Sequence, residues 1–143
     1  MNQDDTDDLV NLLCGKLLGQ GQYRKVFQCA IEPAHVVKHD SGHNFSNINE
    51  YQVFSEFTGT ELEQWLAPVI WLSPRGLWLI QAKTTPIIEA DLPTKIPAIF
   101  ADTKAENWGS YQGRPVCHDY GNHNVFNLAR RSGATLKRAQ WRG

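Results

Sequence analysis

At 143 residues, with 41% hydrophobic and 20% charged residues, the chain has the length and composition of one folded domain, which excludes a disordered or fibrous protein. The formal net charge of −1 hides an asymmetry, with Asp4, Asp5, Asp7 and Asp8 crowding the start and Arg130, Arg131, Lys137, Arg138 and Arg142 crowding the end. A basic end suits nucleic acid or an acidic partner, but a solvated helix face or attraction to the chain's own acidic start is the simpler account, so nucleic-acid binding is disfavoured.

The stretch 9–18 is helix-like, yet it is short and interrupted by Asn11, Gly15 and Lys16. That argues against a signal-peptide core or a membrane span and places the protein in the cytoplasm. Cys14, Cys29 and Cys117 are widely spaced with no C-x-x-C pair, and they read as reduced thiols rather than a disulfide framework or zinc site. Strands at 16–18 and 25–30 flank a glycine-bearing turn. Glu32-Pro33-Ala34 then separates the second strand from His35-Val36-Val37-Lys38, giving a three-stranded meander. After a polar loop at 40–44, Ser46 or Asn47 is expected to cap a helix running to about Phe57 and stopped near Gly59. Strands at 65–72 and 77–82 are joined by Ser73-Pro74-Arg75-Gly76, a strong turn sequence. Pro86, Pro93 and Pro97 leave room for at most a short helix within 86–92. A last hairpin is expected from Trp108 and 114–118 around 110–113, and the basic end from Asn124 is expected to include helix. This order defines an α+β fold in which one helix packs on an antiparallel sheet.

The chemistry-bearing residues lie in and after that layer. Gly19 and Gly21 sit between two strands, a context that excludes the dinucleotide and Walker motifs, both of which need a helix amino terminus behind the glycines. Such a turn can lie close over phosphates while Val26 presses on a base; plain hairpin geometry is the alternative. Lys38 ends a strand, and Glu50 shares a helix face with Val53, Phe54 and Phe57, so an acid on this sheet-facing stripe needs a cation. Glu50 could instead close a capping box with Asn47, whereas Glu56 points away from the stripe. Further on, Asp102 is followed by Lys104 and Asn107, and after one hairpin by Asp119-Tyr120-Gly121. The first Asp can orient a nucleophile, while Asn107 and Asp119 offer the hard oxygens that magnesium prefers. His39 with His43, and His118 with His123, lack a third soft ligand and read as surface or loop histidines. Trp65, Trp71, Trp78 and Trp108 read as core or as cover for the sheet.

Taken in order, these pieces resemble the protein-kinase-like superfamily from Leu17 to Gly121, in a very short bacterial or phage style. Leu18-Gly19-x-Gly21-x-x-Arg24-x-Val26-Phe27 looks like the glycine-rich loop, with Arg24 where a third glycine would sit. Val36-Val37-Lys38 looks like the strand-three lysine with Glu50 as its helix partner. Gln81, Ala82 and Lys83 look like the gatekeeper and hinge, whose backbone would receive adenine. Asp102-Thr103-Lys104-Ala105-Glu106-Asn107 resembles the catalytic loop of serine/threonine kinases, and Asp119-Tyr120-Gly121 the metal-binding loop. The resemblance implies ATP and Mg2+ as cofactors and phosphate transfer to a protein hydroxyl. In it, Lys38 would hold the α- and β-phosphates and Glu50 would orient Lys38. Asp102 would position the acceptor, Lys104 would neutralise developing charge, and Asn107 with Asp119 would bind metal.

The departures are as specific as the matches. Phe100-Ala101 stands where His-Arg usually precedes the catalytic Asp, only 84–101 separates hinge from catalytic loop, and no Ala-Pro-Glu motif follows Gly121. The expected layout is therefore a single reduced domain of a small lobe (9–83), a hinge with catalytic and metal-binding loops (84–121) and a basic end (122–143), with the helical lobe strongly reduced. Self-association or a protein partner would complete it. The competing reading is a catalytically inactive module that inhibits or scaffolds a partner protein, and a third is a nucleic-acid-binding factor acting through the basic end.

Overall fold

The computed structural model describes residues 3–100, 103–121 and 135–142. Its first half comprises α1 (Gln3–Leu13), β1 (Cys14–Gln20), β2 (Arg24–Cys29), β3 (His35–Asp40), α2 (Ser46–Phe57), β4 (Val69–Leu72) and β5 (Trp78–Ala82). The five strands form one antiparallel sheet in the order β1-β2-β3-β5-β4. The fold is thus α+β, as the pattern of elements implies, with a helix on each face of the sheet rather than on one.

The additional helix corrects the reading of 9–18. Helix α1 ends at Leu13, whose carbonyl accepts a 2.7 Å hydrogen bond from Ala30 N, so β2 captures the chain into the sheet from Cys14 onward. Its acids favour the positive end of the helix dipole. Val10 packs with Cys29, Val37 and Trp78 on one face of the sheet, and the Trp78 indole donates to Asp7 Oδ1 at 2.8 Å.

Helix α2 spans the residues expected of it, but it is capped from elsewhere. Phe45 precedes it at φ 55° with no capping side chain, and neither Ser46 nor Asn47 serves. Asp40, at the end of β3, instead accepts from Gly42 N at 2.9 Å and from Asn47 N at 3.2 Å, tying the loop to the helix start. The Asn47 side chain turns inward and donates to the carbonyls of Lys38 and Leu77, both at 3.0 Å. A buried amide is satisfied there by two strands at once.

The second half is irregular. The strand expected over 65–72 is confined to β4, because the preceding stretch leaves the sheet: Glu63–Trp65 is a 3-10 turn and Ala67 N donates to Cys117 O at 2.9 Å. Within 86–92 only the 3-10 turn Glu89–Asp91 forms. Then come β6 (Lys95–Pro97), the 3-10 turn Ala105–Asn107, β7 (Trp108–Tyr111), β8 (Arg114–Cys117) and β9 (Leu136–Arg138). The expected last hairpin is β7–β8, turned by Gln112 at φ 51° and Gly113 at φ 77°, the two left-handed residues of a type I′ turn. The described part of the basic end is strand β9 paired with β6, not helix; the rest of that expectation falls on residues outside those described. Trp141, three residues beyond β9, anchors the strand: it packs edge-on against Trp108 at 5.2 Å and donates to Pro93 O at 2.8 Å. Phe100 and Trp65 also meet Trp108, at 5.0 and 6.3 Å, so an aromatic cluster joins these short elements to Val53 and Phe57 of α2. Among the described residues no helix is long and apolar enough to cross a membrane.

Candidate functional site

Strand periodicity places the site. Antiparallel register sets Arg24 opposite Asp40, Val26 opposite Lys38, and Val36 opposite Gln81, which puts Arg24, Val26, Lys38 and Gln81 on one face of the sheet. That face meets α2 and forms the wall of a cleft of about 970 Å³ whose opposite side is the 105–108 segment with His118 and Asp119. Gly19 and Gly21, Val26, Lys38, Gln81 to Lys83, Asn107 and Asp119 all line it, so the residues singled out in the sequence for nucleotide and metal converge on one space. Lys104 does not line it, and Asp102 lies outside the described residues.

The expected ion pair forms. Lys38 Nζ lies 2.9 Å from Glu50 Oε1, and both side chains are buried. The same oxygen accepts from Gln81 Nε2 at 3.2 Å and Tyr120 N at 3.3 Å, while Oε2 pairs with the Arg24 guanidinium. A capping box with Asn47 is thereby excluded for Glu50. Burial alone would push the Glu50 carboxyl up, but Arg24 and Lys38 outweigh it and hold the group down at about 2. Burial draws Lys38 below the ordinary lysine range while Glu50 opposes the fall. Lys38 also donates to the His118 carbonyl, which ties β3 to the strand that leads into Asp119.

Several residues behave otherwise than expected. The amides of Ala82 and Lys83 donate within the chain, to Pro68 O at 2.9 Å and Ala34 O at 2.7 Å. Gln81 turns its fully buried side chain to Glu50. Lys104 is half exposed and sits 3.8 Å from Glu106. Asp119 Oδ1 accepts a 2.7 Å hydrogen bond from Arg24 Nη2, so one of the oxygens expected to bind metal carries a cation of the chain itself. His118 lies in the loop after β8, as expected, but it is part-buried and bonded on both ring nitrogens. Its Nδ1 meets the Thr84 hydroxyl and its Nε2 the Glu106 carbonyl, each at 2.8 Å, and burial with Lys38 nearby lowers its pKa. An Nε2–H donor facing a carbonyl leaves Nδ1 to accept from Thr84, so a neutral ring staples the hinge to the 105–107 segment. Glycine at 109 serves the same junction, because a Cβ there would run into the Thr84 side chain.

The two glycines of the β1–β2 turn have no such internal reason. Neither has a left-handed φ, a Cβ on Gly19 would meet nothing within 4 Å, and one on Gly21 would meet only Arg24 O at 4.0 Å. Gly19 instead follows an irregularity in the β1–β2 register, and Gly21 N closes the turn on Arg24 O at 2.9 Å.

Asn107 and Asp119 both line the cleft, and their side-chain oxygens are hard donors of the kind that could contact a cation. Among the described residues no group of three His, Cys, Asp or Glu could hold a metal ion. Arg24 and His118 were missed as site residues. For Arg24 the signal was available, as a cation one turn from the glycines in a sequence whose helix buries an acid; for His118 it was not. No protein-family model matches the chain, and no curated protein is significantly similar to it.

Proposed function

We propose that this chain is a reduced protein-kinase-like protein that binds ATP with Mg2+ in the cleft and passes phosphate to a protein hydroxyl. The observation that carries the reading is the buried Lys38–Glu50 pair in a cleft that a glycine-bearing turn also lines, with Asn107 and Asp119 in the same lining. The five-stranded sheet with α2 on its inner face corresponds to a kinase small lobe, and the volume suits a nucleotide-sized ligand. Lys38 holds the α- and β-phosphates, Glu50 fixes Lys38, and the glycine turn lies over the phosphates. Asn107 and Asp119 would hold a magnesium ion, which would supply positive charge to offset that of the phosphates. Asp102 positions the acceptor hydroxyl, on the resemblance alone.

A second reading is favoured by one observation. Arg24 engages Asp119, so the chain as found resembles a module that keeps the shape of the site without turning over. Calorimetric titration with ATP and Mg2+, alongside radiolabelled transfer to the protein itself and to a cell extract, separates the two. Wild type should bind, and Asp119→Ala should lose the metal dependence of binding. Asp102→Asn should bind normally yet transfer nothing, as expected of a group that acts chiefly in the transition state. Binding without any label above the Asp119→Ala background selects the silent module, and no binding at millimolar ATP with Mg2+ removes the nucleotide reading altogether.

A further inference from the structure

The kinase resemblance gives Arg24 no task, yet no side chain in the cleft is more connected. Its guanidinium is almost fully buried. Nη1 faces Glu50 Oε2 and lies 3.2 Å from Asn47 Oδ1, and Nη2 lies 2.7 Å from Asp119 Oδ1. Its carbonyl accepts from Gly21 N at 2.9 Å, which closes the glycine turn. One residue thus joins the turn over the cleft, helix α2 and the loop that carries Asp119. The planar fork meets each acid with a separate nitrogen, whereas a lysine would have to meet both from one ammonium.

Two cations, Arg24 and Lys38, are held here by Glu50 and Asp119 in direct contact, with the buried Asp40 carboxylate opposite Arg24 in the sheet adding a third, more distant anion. A divalent cation arriving alone would place two more positive charges beside two that are already buried, and it would have to win Asp119 from a guanidinium in contact with it. A polyphosphate arriving with the metal removes that obstacle. Its negative charge balances the ion, and when Asp119 lets go, Arg24 keeps Glu50 as a partner while Nη2 is left to donate to a phosphate oxygen.

We infer that Arg24 sets the metal affinity of Asp119: its guanidinium competes with a divalent cation for that carboxylate, so the cleft admits metal only together with an anionic nucleotide. The inference rests on the nucleotide reading for its second half, while its first half concerns only the chain's own residues.

The test is titration with Mn2+, followed by electron paramagnetic resonance and calorimetry, without nucleotide and with saturating ADP. Wild type should bind Mn2+ weakly alone and roughly tenfold or more tightly with ADP. Arg24→Gln should bind Mn2+ alone roughly tenfold or more tightly than wild type, and adding Asp119→Asn should abolish the gain. Arg24→Lys keeps a cation beside buried Glu50 and so protects folding, but one ammonium in place of two guanidinium nitrogens holds Asp119 less firmly, and it should show part of the same gain. The inference is overturned if Arg24→Gln and Arg24→Lys bind Mn2+ no better than wild type, if the gain survives Asp119→Asn, or if wild type binds ADP yet binds Mn2+ equally well with and without it. Were wild type to bind no ADP under any condition, the nucleotide reading would fall, and the Mn2+ titration of the two Arg24 variants would still decide whether Arg24 competes for Asp119.

Discussion

Two lysine–glutamate pairs stand near the cleft, and they differ in almost every respect. Lys38 and Glu50 are 4% and 0% exposed and 2.9 Å apart, held between a central strand and a helix. Lys104 and Glu106 are 50% and 74% exposed and 3.8 Å apart, on a short segment with one 3-10 turn. The first pair cannot exchange its partners for water, so it is fixed in place before any ligand arrives. The second is solvated and screened, and it carries little free energy. The buried charge pair therefore belongs to the sheet side of the cleft, and the solvated one to the loop side.

The sharpest way to break the comparison is to remove the acid. Glu50→Ala leaves Lys38 and Arg24 buried against each other, and the expected loss is about 3–5 kcal/mol, read as a fall in the denaturant midpoint at unchanged slope. A loss below about 1 kcal/mol would mean that water reaches the pair.

Acid should remove the same interaction by degrees. Glu50 is held at about 2 against an ordinary 4.5, so its folded-state value is depressed. The stability it contributes is complete above about 4.5 and is lost as pH falls from there through about 2, to a total on the order of 3 kcal/mol. Denaturation curves at stepped pH for wild type and Glu50→Gln check this, since the difference in their acid slopes over that window belongs to Glu50. Parallel slopes would show that other carboxylates carry the acid sensitivity.

The smallest effect belongs to the solvated pair. Glu106→Ala should change stability by less than about 0.5 kcal/mol, and whatever change it makes should vanish in molar salt. A larger, salt-resistant loss would show that the 105–107 segment is as preorganised as the sheet.

Much of the architecture was legible because its signals are local. The turn at 73–76, the hairpin around Gln112 and Gly113, the meander of the first three strands and helix α2 all arise from turn chemistry and periodicity within short windows. The Lys38–Glu50 contact was legible for a related reason: an acid on the apolar stripe of a helix cannot be buried alone, and the strand before it carries a lysine, although that strand runs on to Asp40 rather than ending at Lys38. The edges of elements were less legible. Nothing near Ser46 announces that Asp40 will cap the helix from the preceding strand, and Pro68 gives no hint that residues before it turn toward β8.

By itself, then, the sequence determined the α+β layer, the strand order up to Asp40 and the meeting of Lys38 with Glu50, because periodicity, turn residues and the cost of a lone buried charge act over short stretches of chain. Only the tertiary structure decided that Arg24 reaches Asp119, which lies 95 residues away, and that His118 joins Thr84 to Glu106. It also decided that the described basic end returns as a strand against Lys95 to Pro97. Each of these is a choice among several available partners, and it is made by register and packing, which bring distant groups within hydrogen-bonding reach only once the sheet and the aromatic cluster have formed.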